Sequence, residues 1–184
     1  MRICEKNMNW DVIIRHYQIN HRPDLQRQID WFRRQPSLEH AIKNACYALN
    51  EKGKRYSHQN RIKLIPMQSA YKTLFEESDQ ITQCGSFHAL WIIIKRLKKI
   101  KGIGELYIYD TALRIGAYLN LYPQKIYLHA GTRKGANNYG FNTANRDWLE
   151  MSEMPKELKG LEPREIEDIL CIYKDKILPI KGCA

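Results

Sequence analysis

The stretch from Ser86 to Ala117 constrains the fold more than any other part of the chain. Ser86 stands as a helix N-cap ahead of Phe87, Leu90, Trp91, Ile94 and Leu97, which recur at the 3.6-residue period of one helical face, while Lys95, Arg96, Lys98 and Lys99 fill the other faces. A second, largely apolar helical segment follows with Leu106, Tyr109, Leu113 and Ala117. Between the two lies Lys101-Gly102-Ile103-Gly104. Glycine permits both a positive φ and a close approach of backbone to a ligand, and Ile103 is spaced to insert between the helices and pin the turn. The N–H groups that open the second helix have no intrahelical acceptor, and with the helix dipole behind them they suit a phosphate oxygen. Lys98, Lys99 and Lys101 are within reach of flanking phosphates.

Helical signals recur over most of the remaining chain. Trp10, Ile13, Ile14 and Tyr17 mark one face of a short helix after a cap at Asn9; Leu25, Ile29 and Phe32 mark the next. Ser37 caps an apolar stripe of Leu38, Ile42, Ala45, Cys46 and Leu49 that ends near Gly53. Residues 52–63 are polar and basic and read as an exposed loop, after which Ser69 is positioned to cap a helix with Tyr71, Leu74 and Phe75 inward. Pro163 starts a last helix with Ile166, Ile169, Leu170 and Tyr173 inward and an acidic outer face of Glu165, Glu167 and Asp168. Two β-like runs, 62–65 and 125–128, are too brief to argue for a sheet. The expected fold is all-α and two-lobed, one compact helical domain over residues 1–184 with the paired helices at 86–120 inside it.

Charge is uneven. Residues 81–146 hold ten basic and two acidic side chains, a balance of +8, against +5 for residues 1–80 and −3 for 147–184. A polyanion is the partner that such a concentration serves most often. The five cysteines are scattered, odd in number and without a C-x-x-C pair, which suits reduced thiols better than disulfides or a zinc site. No metal is expected. No uncharged apolar run reaches membrane-spanning length and Met1 to Lys6 lacks a signal-peptide core, so a cytoplasmic protein without a membrane partner is expected.

Gly102-Ile103-Gly104 between two helices resembles the helix-hairpin-helix family. The run from Leu97 to Arg133, about a fifth of the chain, is similar more specifically to the hairpin region of the helix-hairpin-helix superfamily of base-excision DNA glycosylases. That likeness takes in the helix through Thr111-Ala112-Leu113-Arg114 and then Ile126-Tyr127-Leu128-His129, where those enzymes place the loop that carries their chemistry. The resemblance implies a two-lobed helical fold that binds DNA, and in some members the hairpin carbonyls also hold a monovalent cation. It implies no other cofactor. The chain departs from the family pattern where the chemistry should be. Those glycosylases need a carboxylate roughly twenty residues beyond the hairpin, and their lyase members add a lysine at the start of the second helix. Here Glu105 and Leu106 follow the hairpin, and no Asp or Glu stands between Asp110 and Asp147.

The segment from His129 to Ala136 combines two glycines, a hydroxyl and the adjacent cations Arg133 and Lys134. It reads either as a phosphate-binding loop or as a basic turn leading into a helix, and it does not match a P-loop. Asp110 and His129 are the candidate catalytic groups, each with a structural alternative: Asp110 as the i, i+4 partner of Arg114, and His129 as an imidazole without a placed carboxylate. Tyr56 and Tyr139 are better candidates for stacking on bases than the four tryptophans, which suit inward faces. The expected function is non-catalytic binding of nucleic acid, DNA before RNA, by backbone contact at Lys98, Lys99, Lys101, Gly102, Ile103, Gly104, Arg133 and Lys134. The alternatives are a divergent glycosylase or nuclease acting in DNA repair, and a protein-interaction module with a partner the sequence does not identify.

Overall fold

A computed structural model describes residues 10–177. The expected cap at Asn9, and Cys4 and Cys183, lie outside those residues. The described chain is mainly helical: α1 (Trp10–Asn20), α2 (Arg22–Arg33), α3 (Leu38–Cys46), α4 (Leu64–Glu76), α5 (Ser78–Thr82), α6 (Phe87–Lys95), α7 (Glu105–Leu119), α8 (Ala130–Tyr139) and α9 (Pro163–Ile172). β1 (Ile126–Tyr127) and β2 (Trp148–Leu149) form a small antiparallel ribbon, pairing Ile126 with Leu149 and Tyr127 with Trp148. Among the described residues no helix is long and apolar enough to cross a membrane. Contacts divide the chain into one unit of residues 24–124 and another of residues 1–23 with 125–184.

In the 24–124 unit, α7 is the centre. Ten of its fifteen residues are buried, and they face every direction, so the helix is enclosed rather than amphipathic. α3 and α6 pack on it, and α4 packs on α3. Local chemistry sets the helix starts. Ser37 accepts the His40 N–H at 3.3 Å and Ser86 accepts the Ala89 N–H at 3.2 Å, each meeting one of the donors left open in a first turn. Ser86→Ala removes that acceptor; a loss of about 1 kcal/mol is expected, read as a lower urea midpoint at unchanged slope. Ser69, in contrast, is not a cap. α4 begins five residues earlier at Leu64, because Pro66 falls in a first turn, where its missing N–H costs nothing, and the second half of the β-like 62–65 run is thereby drawn into a helix. Leu74 is buried as expected, but Phe75 is 45% exposed.

In the other unit, α1, the ribbon, α8 and α9 surround a core that includes Trp10, Ile13, Tyr17, Ile126, Leu128 and Leu170. Pro163 opens α9 as its pattern predicts, and Glu162 and Glu165 close a capping box around that start. The acidic residues of α9 are not an outer face. Glu165 and Glu167 are 7% and 4% exposed, and each carboxylate meets a buried or half-buried partner: Glu165 pairs with Arg22 and Glu167 with His129. Asp168 accepts the Tyr17 hydroxyl at 3.0 Å. The helix is wrapped on a wide arc, and its carboxylates are inside that arc because a donor awaits each one.

Candidate functional site

Helix α6 runs out through a single 3-10 turn, Arg96–Lys99, and the chain then reverses before α7. Gly102 sits at φ +97°, and a Cβ there would also stand 3.2 Å from Pro66 Cγ, so the position needs glycine for conformation and for space. Ile103 is 7% exposed. Gly104 is extended and opens α7 with no side-chain acceptor for the first N–H groups. Lys98, Lys99, Lys101 and Gly102 are exposed around that opening. Glu105 lies in the first turn of α7, where a carboxylate suits the dipole, and its Oε1 is 3.4 Å from Lys98 Nζ. The carbonyls of Leu97, Ile100 and Gly104 accept the N–H groups of Ile100, Ile103 and Ile108, so a monovalent cation would have to draw on other carbonyls of the turn.

Asp110, one turn into α7, belongs to a buried polar network. Its expected partner Arg114 is present, with Nη2 3.5 Å from Asp110 Oδ2, and the same oxygen accepts from Gln59 Nε2 at 2.6 Å and meets His58 Nε2 at 2.8 Å. The Arg114 side chain is fully buried; its Nη1 donates to Gln59 Oε1 at 2.8 Å and its guanidinium lies 4.3 Å over the Tyr56 ring. Among the described residues Arg114 Nε and Nη2 have no hydrogen-bond partner, and the Asp110 charge and the Tyr56 π-face balance the cation. Burial pushes the Tyr56 phenol up to about 12, opposed by the Arg114 charge. The network ties the 55–59 segment to α7, and it occupies Tyr56, the residue favoured for base stacking. Tyr139 is likewise taken up, 5.2 Å from the Trp10 ring and 5.1 Å from that of Phe141.

His129 is the N-cap of α8 and is 2% exposed. Its Nδ1 accepts the Gly131 N–H at 3.2 Å and its Nε2 pairs closely with Glu167 Oε1; Thr132 Oγ1 lies 2.8 Å from Nε2 and donates to the same carboxylate at 2.7 Å. The carboxylate that the sequence left unplaced is therefore Glu167, 38 residues downstream. The acceptor role of Nδ1 belongs to the neutral ring, with its proton on Nε2. Burial opposes a second proton, but the Glu167 carboxylate outweighs it, helped by a hydrogen bond with Cys171, and holds the imidazole up at about 10. The ring thus draws a second proton strongly, and taking it on Nδ1 means giving up the Gly131 cap contact. Arg133 Nη1 donates to the Thr143 and Arg146 carbonyls at 2.7 and 3.0 Å, and Lys134 pairs with Asp175 at 2.5 Å. Arg133 holds the 143–146 turn, and Lys134 is exposed with a local carboxylate partner.

The sequence-predicted residues are divided between the two units. Lys98, Lys99, Lys101, Gly102, Ile103, Gly104 and Asp110 belong to the 24–124 unit, and His129, Arg133 and Lys134 to the other. Sequence reasoning missed Gln59 and Glu167. A buried Gln in a basic loop has no periodic signal, and Glu167 lies among acids that look solvated. Among the described residues no group of three or more His, Cys, Asp or Glu is placed to hold a metal ion. No family model, curated protein or solved structure matches this chain.

Proposed function

We propose that the protein binds nucleic acid, DNA before RNA, by gripping backbone phosphate at the 101–104 turn in the manner of a helix-hairpin-helix. One observation carries this reading: Gly102 at φ +97° and a buried Ile103 lead into a helix whose first N–H groups have no side-chain cap and are ringed by exposed Lys98, Lys99 and Lys101. A phosphate there meets backbone donors, the positive end of the α7 dipole and ammonium groups together. The charge distribution agrees. The 24–124 unit holds sixteen basic and nine acidic residues, +7 of the chain's +10. Glu105 competes for the same helix end, so phosphate binding turns Lys98 from Glu105 to the ligand. Such contact positions a duplex without reading its sequence.

Binding without base excision is favoured over glycosylase or nuclease chemistry. Asp110 Oδ2 is occupied by Gln59, His58 and Arg114, and the segment from 111 to 146 offers no other carboxylate. The test is fluorescence anisotropy with labelled duplex and single-stranded DNA of two unrelated sequences at low salt. The Lys98→Ala/Lys99→Ala/Lys101→Ala variant is expected to lose roughly tenfold or more in affinity, equally for both sequences. Unchanged affinity in the variant makes the turn a packing element and removes this reading.

A further inference from the structure

Where α8 meets α9 at Gly131, a thiol stands beside the His129 ring. A Cβ on Gly131 would stand 2.5 Å from Cys171 Sγ and 3.2 Å from His129 Cε1, so this glycine leaves sulfur and imidazole edge side by side at the start of α8. The ring's Nε2 is fixed by Glu167, one turn before Cys171 on the same helix, and Thr132 holds that carboxylate in place at 2.7 Å. His129 and Glu167 are almost wholly buried, whereas Cys171 is only half-buried and free of any disulfide. Thiol, imidazole and carboxylate in that order are an arrangement in which a carboxylate keeps a histidine charged and the imidazolium favours the neighbouring thiolate. Packing alone would need a small side chain at 171. It would not need a ring oriented by two polar partners beside it.

We propose that Cys171 is a nucleophilic cysteine whose thiolate is stabilised by the His129 imidazolium, with Glu167 as the positioning residue, and that it forms covalent adducts with small carbon electrophiles. In the step, the thiol loses its proton to solvent beside the His129 imidazolium, a sulfur lone pair forms a bond to the electrophilic carbon, and the leaving group departs with the electron pair of the broken bond. The imidazolium stays held against Glu167 throughout. With iodoacetamide the products are the S-carbamidomethyl cysteine, iodide and one proton. This site lies in the unit formed by residues 1–23 and 125–184 and is independent of the nucleic-acid reading.

Cys84 supplies the internal comparison, because it too is half-buried and free, has Gln80 O as its hydrogen-bond partner, and is pushed up by burial. The full-length protein is treated with iodoacetamide at neutral pH, folded and again in concentrated urea, and the adducts at both cysteines are followed by peptide mass spectrometry. Cys171 is expected to react about tenfold faster in the folded protein than in urea, and about tenfold faster than folded Cys84. In His129→Gln, with Cys84 still protected to the wild-type extent, the folded-state advantage of Cys171 disappears. A Cys171 that reacts more slowly folded than in urea is a packed thiol, and that result in the wild type alone overturns the proposal. So does an advantage that survives His129→Gln.

Discussion

Replacing Gly135 by alanine is expected to destabilise the protein by about 3 kcal/mol, the top of the usual range for overpacking. A Cβ at this position would lie 2.0 Å from the Leu170 carbonyl oxygen, 2.8 Å from its carbon and 3.2 Å from Leu170 Cα. All three are backbone atoms of α9, so no rotamer change relieves the contact, and α8 and α9 have to separate. That separation would strain the His129–Glu167 pair and open a core that contains Ala136, Ile166 and Leu170. Gly160→Ala is the control. Nothing lies within 4 Å of its Cβ position, and a change within about 0.5 kcal/mol is expected. Urea unfolding of the two variants measures both. A Gly135→Ala protein as stable as wild type would mean that α8 does not approach α9 this closely.

Asp110→Ala should cost about as much, by an electrostatic route. Its carboxylate is the counter-charge of an Arg114 side chain with no solvent exposure, and removing one member of a buried pair costs about 3–5 kcal/mol because the other charge is left uncompensated. His58 and Gln59 lose their acceptor as well. Arg114→Met in the Asp110→Ala background removes the orphaned cation and is expected to restore a large part of the loss. A coupling of at least about 1 kcal/mol in the double-mutant cycle reports the pair. If Asp110→Ala behaved like a surface substitution, Arg114 would have another source of compensation and the network would not anchor the 55–59 segment.

What was legible in the sequence is what neighbouring residues decide among themselves. Ser37 and Ser86 cap helices because a hydroxyl three residues before an N–H is a local relation, and Pro163 opens α9 for the same reason. Gly102 adopts a positive φ and Ile103 is buried. The failures come from partners distant in sequence. Gly131 and Gly135 looked like the hinges of a basic loop, yet they are glycines because Cys171 and Leu170 of a later helix press against them. Glu167 looked solvated because its partner His129 lies 38 residues earlier. Tyr56 looked available to a base, but a fully buried arginine 58 positions on stacks against it. For the candidate site, the turn and its lysines were readable, and the two buried networks were not.

The central claim is a phosphate clamp, and the salt dependence of binding is its most direct measurement. Labelled duplex DNA titrated with the protein between 50 and 200 mM monovalent salt reports how many phosphates are neutralised. With about four engaged, affinity falls roughly 150-fold over that range, and the Lys98→Ala/Lys99→Ala/Lys101→Ala variant shows a log–log slope shallower by two to three units. A flat salt dependence, or the same slope in both proteins, would contradict the account and leave the 101–104 turn as a join between two packed helices.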